Sequence, residues 1–139
     1  MHFLTIDDYK PFVQDAVLQQ VIQGDSGTLL TAGLMAQAEM TGYLKTRFDC
    51  AAIFAATGQA RNQAVVMCFI DITLYHLHSR VSPRNVSQLR ADRYKAAIEW
   101  LKMAAFGEIQ PDLPLKTDER GHPDNRLKYG SNPKPDLRY

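Results

Sequence analysis

Apolar residues recur at three- and four-residue spacing in successive stretches of the chain, and this spacing predicts helices. Val13, Val17 and Val21, with Leu18 and Ile22 beside them, predict a helix over 12–23, with Gly24 placed to close it as the C′ residue. Ahead of it, Thr5 and Asp8 stand three apart like a capping box with Asp in place of Glu, so a short helix starts near Ile6 and Pro11 interrupts it. Asp25-Ser26-Gly27 is a turn, and Thr28 is the N-cap of a helix through Leu34, Ala38, Thr41 and Leu44 to about residue 47. The small residues Gly33, Ala36, Ala38 and Gly42 on it permit close approach of another helix.

Residues 61–80 form the most apolar of these patterns, with Val65, Phe69, Ile72 and His76 on one stripe and Val66, Ile70, Thr73 and Leu77 on the next. This is the expected central buried helix. Ser82-Pro83-Arg84 breaks it, Ser87 caps the next, and Leu89, Tyr94, Ile98, Leu101 and Ala105 repeat until Gly107. The stretch 48–59 follows neither the helical nor the strand period and reads as an extended loop that contacts a neighbouring subunit or covers the bundle. The fold class is therefore all-α: a small bundle of four to five helices.

Composition changes after Phe106. Residues 107–139 hold five of the seven prolines, three glycines and twelve charged residues split evenly by sign. Such a stretch cannot bury enough apolar surface to offset its own ordering entropy. The expected organisation is a helical domain over 1–106 and an extended Pro/Gly-rich C-terminal arm over 107–139 that orders on a partner. A chain of 139 residues with 45% apolar content has room for one core and no second domain. The longest apolar run, Ala64 to Ile70, is too short to span a membrane, and the acidic start at Asp7-Asp8 is unlike a secretory signal. A soluble protein with no membrane partner is the expectation.

The formal net charge is only +1, which argues against a polyanion-binding specialist. The charge is unevenly placed. Residues 1–39 carry one lysine against five acids, a balance of −4, and residues 80–106 carry a balance of +4. An acidic front, with Asp7, Asp8 and Asp15, and a basic back, with Arg80, Arg84, Arg90 and Arg93, could support head-to-tail association between copies. The same arginines, with Tyr75, Tyr94 or Trp100 as stacking groups, compose the alternative of a small nucleic-acid-binding regulator, although no reader motif frames them.

Candidate chemistry is sparse. His76 and His78 stand two apart on a helix and point to different sides, so they do not share a metal. Cys50 and Cys68 lie in apolar surroundings and read as free, inert thiols. No nucleophile motif or phosphate loop occurs, so no enzyme, cofactor or metal is expected; an enzyme built on Asp71 and His76 would need a pocket around both. Asp71 is the one charged residue inside the central helix. A buried carboxylate needs a partner, and Arg47 and Arg61 are the expected structural ones.

Three blocks in order carry a resemblance: Ala38-Glu39-Met40-Thr41-Gly42-Tyr43-Leu44-Lys45-Thr46-Arg47-Phe48-Asp49, then Asp71-Ile72-Thr73-Leu74-Tyr75-His76-Leu77-His78-Ser79-Arg80, then Tyr94 to Lys102 closed by Gly107 and Leu113-Pro114. Over roughly residues 3 to 114 the chain resembles the small Mu-like prophage proteins grouped with the head-to-tail connector, or neck, proteins of tailed bacteriophages. The resemblance implies an α-helical adaptor in a closed ring of roughly twelve subunits under the portal protein. It also implies a tail or tail-completion protein as a further partner, double-stranded DNA passing without sequence specificity, and a place at the head-tail junction of a virion assembled in the bacterial cytoplasm. In connectors of this kind extended arms reach neighbouring subunits or the portal, and Asn132, Lys134 and Tyr139 are the arm residues expected at such an interface. The resemblance supplies no functional residues to carry over.

Overall fold

The computed structural model describes residues 3–81 and 84–117, and within them the chain is helical. A 3-10 helix at Ile6–Tyr9 is followed by α1 (Asp15–Ile22), α2 (Ser26–Leu44), α3 (Cys50–Ala55), a 3-10 turn at Gly58–Ala60, α4 (Gln63–Val81) and α5 (Gln88–Ala105). The small all-α bundle expected from the apolar spacing is the fold.

Helix α4 is the axis. Every residue from Cys68 to Leu74 is buried, so the helix is covered on all sides, with α2 and α5 packed along it and α1 closing one end. That explains the continuous apolar run: a helix enclosed by neighbours shows little amphipathic contrast. Thr73 sits in this core with its hydroxyl donating to the carbonyl of Phe69 at 2.8 Å, so it costs no unpaired donor.

Local caps set the boundaries, in places one to three residues from the expected ones. Helix α1 ends at Ile22, and the chain leaves it through two left-handed residues, Gln23 (φ 56°) and then the expected Gly24 (φ 71°). The amides of Gln23 and Gly24 donate to the carbonyls of Gln20 and Gln19, a Schellman arrangement one residue earlier than expected. Helix α2 begins at Ser26 because the carboxylate of Asp25, not Thr28, accepts the free Gly27 amide at 2.9 Å. The side chain of Asn62 accepts from the amides of Ala64 and Val65 and fixes the start of α4. Ser87 caps α5 through the Arg90 amide, and Gly107 (φ 80°) closes it, with the Glu108 amide reaching the carbonyl of Met103.

Residues 48–59 correct the loop expectation. Asp49 caps the six-residue helix α3 by accepting from the Ala52 amide. Ile53 enters the core, and Phe54 stands edge-on to Phe3 and Phe69, so the segment covers the bundle. Six residues are too few to display a period. The signals were the acidic cap and the alanines that follow it.

The packed body also runs past residue 106. Ile109 and Leu113 lie against the core, Phe48 and Leu115 form an antiparallel bridge, the Asp49 amide donates to the Pro114 carbonyl, and the Lys116 amide donates to the Arg47 carbonyl. Residues 107–117 are thus stitched to the α2–α3 connection. The rest of the expected arm, with Asn132, Lys134 and Tyr139, lies outside the described residues.

Candidate assembly surfaces

Burying a carboxylate is costly unless its charge and lone pairs are satisfied. Asp71 is 5% exposed, and both partners come from α5. Arg93 meets it fork to fork, Nε to Oδ1 at 2.8 Å and Nη2 to Oδ2 at 3.1 Å, with its guanidinium over the Phe12 ring. Arg90, 8% exposed, donates from Nη2 to the Phe12 carbonyl at 3.0 Å, and its Nη1 lies 3.9 Å from Asp71 Oδ1 without a hydrogen-bond partner among the described residues. Burial holds the Arg90 pKa below the ordinary arginine value, against the pull of the Asp71 charge.

The two arginines expected to serve Asp71 are engaged elsewhere. Arg61 precedes α4, about 15 Å of helix rise from Asp71. It grips Asp8 with Nη1 and Nη2 at 2.9 and 3.0 Å and donates to the Phe3 carbonyl, tying the N-terminal segment down. Its hydrogen bonds hold the Asp8 carboxyl below the usual aspartate range. Asp8 also accepts from the Thr5 amide and hydroxyl, which is the carboxylate half of the expected box. Arg47 donates to the Ala104 carbonyl at 2.6 Å, satisfying an acceptor at the end of α5.

A second polar seam joins three helices. Glu39 of α2 accepts from the Tyr94 hydroxyl of α5 at 2.5 Å and lies 2.9 Å from His76 Nε2 of α4, while Tyr75 stacks on Tyr94 with centroids 4.1 Å apart. Burial, and then the bond to Glu39, raises the Tyr94 hydroxyl pKa above its ordinary value. His78 turns away and donates from Nδ1 to the Leu74 carbonyl. Asp71 and His76 are held by these separate sets of partners and do not converge on one pocket. Reading residues in chain order misses this seam, because Glu39, His76 and Tyr94 meet only when three helices align.

These pairings change the electrostatic picture. Asp8 is spent on Arg61, Asp7 pairs with Lys10 at 3.0 Å, and Arg90 and Arg93 are turned to Asp71. Of the expected interface residues within the described chain, Asp15, Arg80 and Arg84 stay exposed and Asp7 stays at the surface beside Lys10. Arg90 and Arg93 are therefore engaged in an ion cluster with Asp71, Arg90 buried and Arg93 partly exposed. Both cysteines are free thiols; burial pushes Cys68 up to about 12 and also raises the half-buried Cys50.

What the surface offers is apolar. From Ser26 to Leu44 the only charged side chain of α2 is Glu39, and it faces the seam. On the outward side Leu30, Leu34 and Met35 are 47%, 58% and 53% exposed, in a row with Thr31, Ala38 and Gly42. A long helix apolar on all sides is usually covered on all sides. Among the described residues no three His, Cys, Asp or Glu side chains are grouped to hold a metal ion, and no helix is long and apolar enough to cross a membrane.

The fold and surfaces define a small all-α protein whose polar groups lock its own helices together and whose outward α2 face carries exposed apolar side chains. The family model of bacteriophage Mu Gp36 matches residues 4–127, most of the chain, and the protein belongs to that phage family. Neither the curated proteins nor the solved structures contain a match.

Proposed function

We propose that this phage-family protein is a structural virion subunit, a head-to-tail connector that forms a ring under the portal, joins capsid to tail and lets double-stranded DNA pass. The observation that carries the reading is the outward face of α2: Leu30, Leu34 and Met35 stand exposed on a 19-residue helix whose one charged residue turns inward. Such a face supports work by contact rather than bond chemistry. Family membership supplies the phage setting, and a closed ring of roughly twelve copies built from heterologous contacts is what the Mu-like connector resemblance implies.

The test is the mass of the purified chain by light scattering, alone and mixed with the portal protein of the same phage. A 15.7 kDa chain that enters a large ring when the portal is added supports the reading. A mass indifferent to the portal but shifted by DNA would move the assignment to the nucleic-acid regulator. That alternative has lost two of its four arginines to the Asp71 cluster.

A further inference from the structure

Between the N-terminal segment and the first half of α2 lies a groove of about 280 Å³, and none of its twelve lining residues is charged. Its floor is the stacked pair Phe3 and Phe69 beside Gly33, where the missing side chain leaves the Phe69 ring open. Ile6 forms one wall, and Leu30 and Leu34 form the other, all three exposed. Two exposed carboxylates flank its rim, Asp7 next to Ile6 and paired with Lys10 at 3.0 Å, and Asp25 next to Ser26 with one oxygen capping α2.

The same chain carries a segment with the complementary pattern. Leu127-Lys128-Tyr129 and Leu137-Arg138-Tyr139 repeat one triplet ten residues apart, and residues 126–139 hold four basic side chains against Asp136 alone. Bound in extended form, such a triplet would set its leucine and tyrosine on one face and its cation on the other. The apolar pair suits the groove, and the cation suits the rim.

Reach lets the arm fill a groove on its own body or on a neighbour's, and the ring reading favours the neighbour's. The described chain ends at Thr117, beside the Arg47–Asp49 connection, beyond the C-terminal end of α2, whereas the groove lies along its N-terminal half. Leu137 is 20 residues further on, a span of up to about 66 Å, against a body diameter of roughly 35 Å for a domain of this size. A groove on one part of the surface and an arm leaving from another make a head-to-tail contact that repeats from copy to copy. We propose that the groove between the N-terminal segment and α2 of one copy receives the Leu137-Arg138-Tyr139 triplet of a second copy. This deepens the ring reading by naming a contact within it.

The test uses full-length chains. An arm variant (Leu127→Asp, Tyr129→Asp, Leu137→Asp and Tyr139→Asp) keeps an open groove, and a groove variant (Leu34→Asp, with Leu30→Asp as the alternate if the first misfolds by circular dichroism) keeps a native arm. A labelled peptide of residues 130–139 should bind the arm variant saturably, one per chain. Binding should weaken about tenfold or more when the receptor also carries Leu34→Asp, or when the peptide carries Arg138→Glu. Mixing arm and groove variants should then give a one-to-one complex by sedimentation. Absence of peptide binding overturns the proposal. Peptide binding with no complex in the mixture means that a tethered arm does not enter a second copy's groove, and a native chain that stays monomeric at concentrations where the mixed variants pair fills its own groove; either result overturns the proposal. Because no portal enters this experiment, its failure is distinguishable from failure of the connector reading, which the portal-mixing experiment decides.

Discussion

Replacing Asp71 by alanine should be the most damaging single change at a polar position of this protein, and the structure says why the cost is lopsided. The carboxylate serves two cations in different surroundings. Arg93, with a side chain 34% exposed, can swing toward water when its partner is lost, whereas Arg90, 8% exposed, cannot. Arg90 already relies on Asp71 for charge compensation, since among the described residues its Nη1 has no hydrogen-bond partner and its guanidinium donates to the Phe12 carbonyl through Nη2. Asp71→Ala leaves a buried guanidinium uncompensated, worth about 3–5 kcal/mol, a large share of the 5–15 kcal/mol of an ordinary domain. Arg93→Ala leaves the carboxylate near Arg90 and should cost about 1–2 kcal/mol. In a thermal melt followed by circular dichroism the difference is roughly a 10–15 °C fall for Asp71→Ala against a few degrees for Arg93→Ala. Adding Arg90→Met to Asp71→Ala should recover a substantial part of the loss, because it removes the stranded charge and retains apolar volume. If Asp71→Ala proves no worse than Arg93→Ala, or if Arg90→Met makes it worse, the account of Arg90 as the dependent charge is refuted.

Gln23→Gly should raise stability by about 1 kcal/mol, since it relieves a left-handed residue at the end of α1, and a urea titration that shows a loss would contradict the cap assignment. For the Asp8–Arg61 pair, Asp8 has a folded pKa below its ordinary 3.8, so its stabilisation is present above that value and lost as pH falls through the folded pKa. The stability gap between the native chain and Asp8→Asn, about 1–2 kcal/mol at neutral pH, should therefore close on acidification below about pH 4; a gap that widened in acid would reverse the argument. Titration with an aromatic disulfide should find Cys50 reacting slowly and Cys68 only on unfolding, because burial pushes the Cys68 thiol up to about 12. Equal rates for both in the folded protein would show that α4 opens more readily than its packing implies.

Much of the architecture was legible because its causes are local. The Ser87 cap, the Gly107 stop and the buried stripe of residues 65–77 each act within a few residues, and spacing alone locates them. Errors of one to three residues arose where two adjacent groups compete for one role, as Asp25 and Thr28 do at the start of α2 and Gln23 and Gly24 at the end of α1. Helix α3 escaped because six residues cannot show a period, and its anchors, Phe3, Phe69 and the Pro114 carbonyl, are distant in sequence.

The candidate surfaces were less legible. Sequence could show that Asp71 needs a cation, but choosing among Arg47, Arg61, Arg90 and Arg93 requires knowing which helix lies against α4 at that height. Opposite charges grouped by segment suggested an acidic and a basic face, and folding drew Asp8 out of the first into a pair with Arg61 and Arg90 and Arg93 out of the second into the cluster with Asp71. The outward row on α2 was hidden for a related reason: an apolar helix looks the same in sequence whether its last face meets its own core or another molecule. By itself the sequence determined a helical body, the order of its helices and the carboxylate that must be paired, since backbone capping and apolar periodicity act over a turn or two. Only the tertiary structure decided which charges cancel and which apolar side chains stay in water, because both depend on the distances between helices that the chain connects at long range.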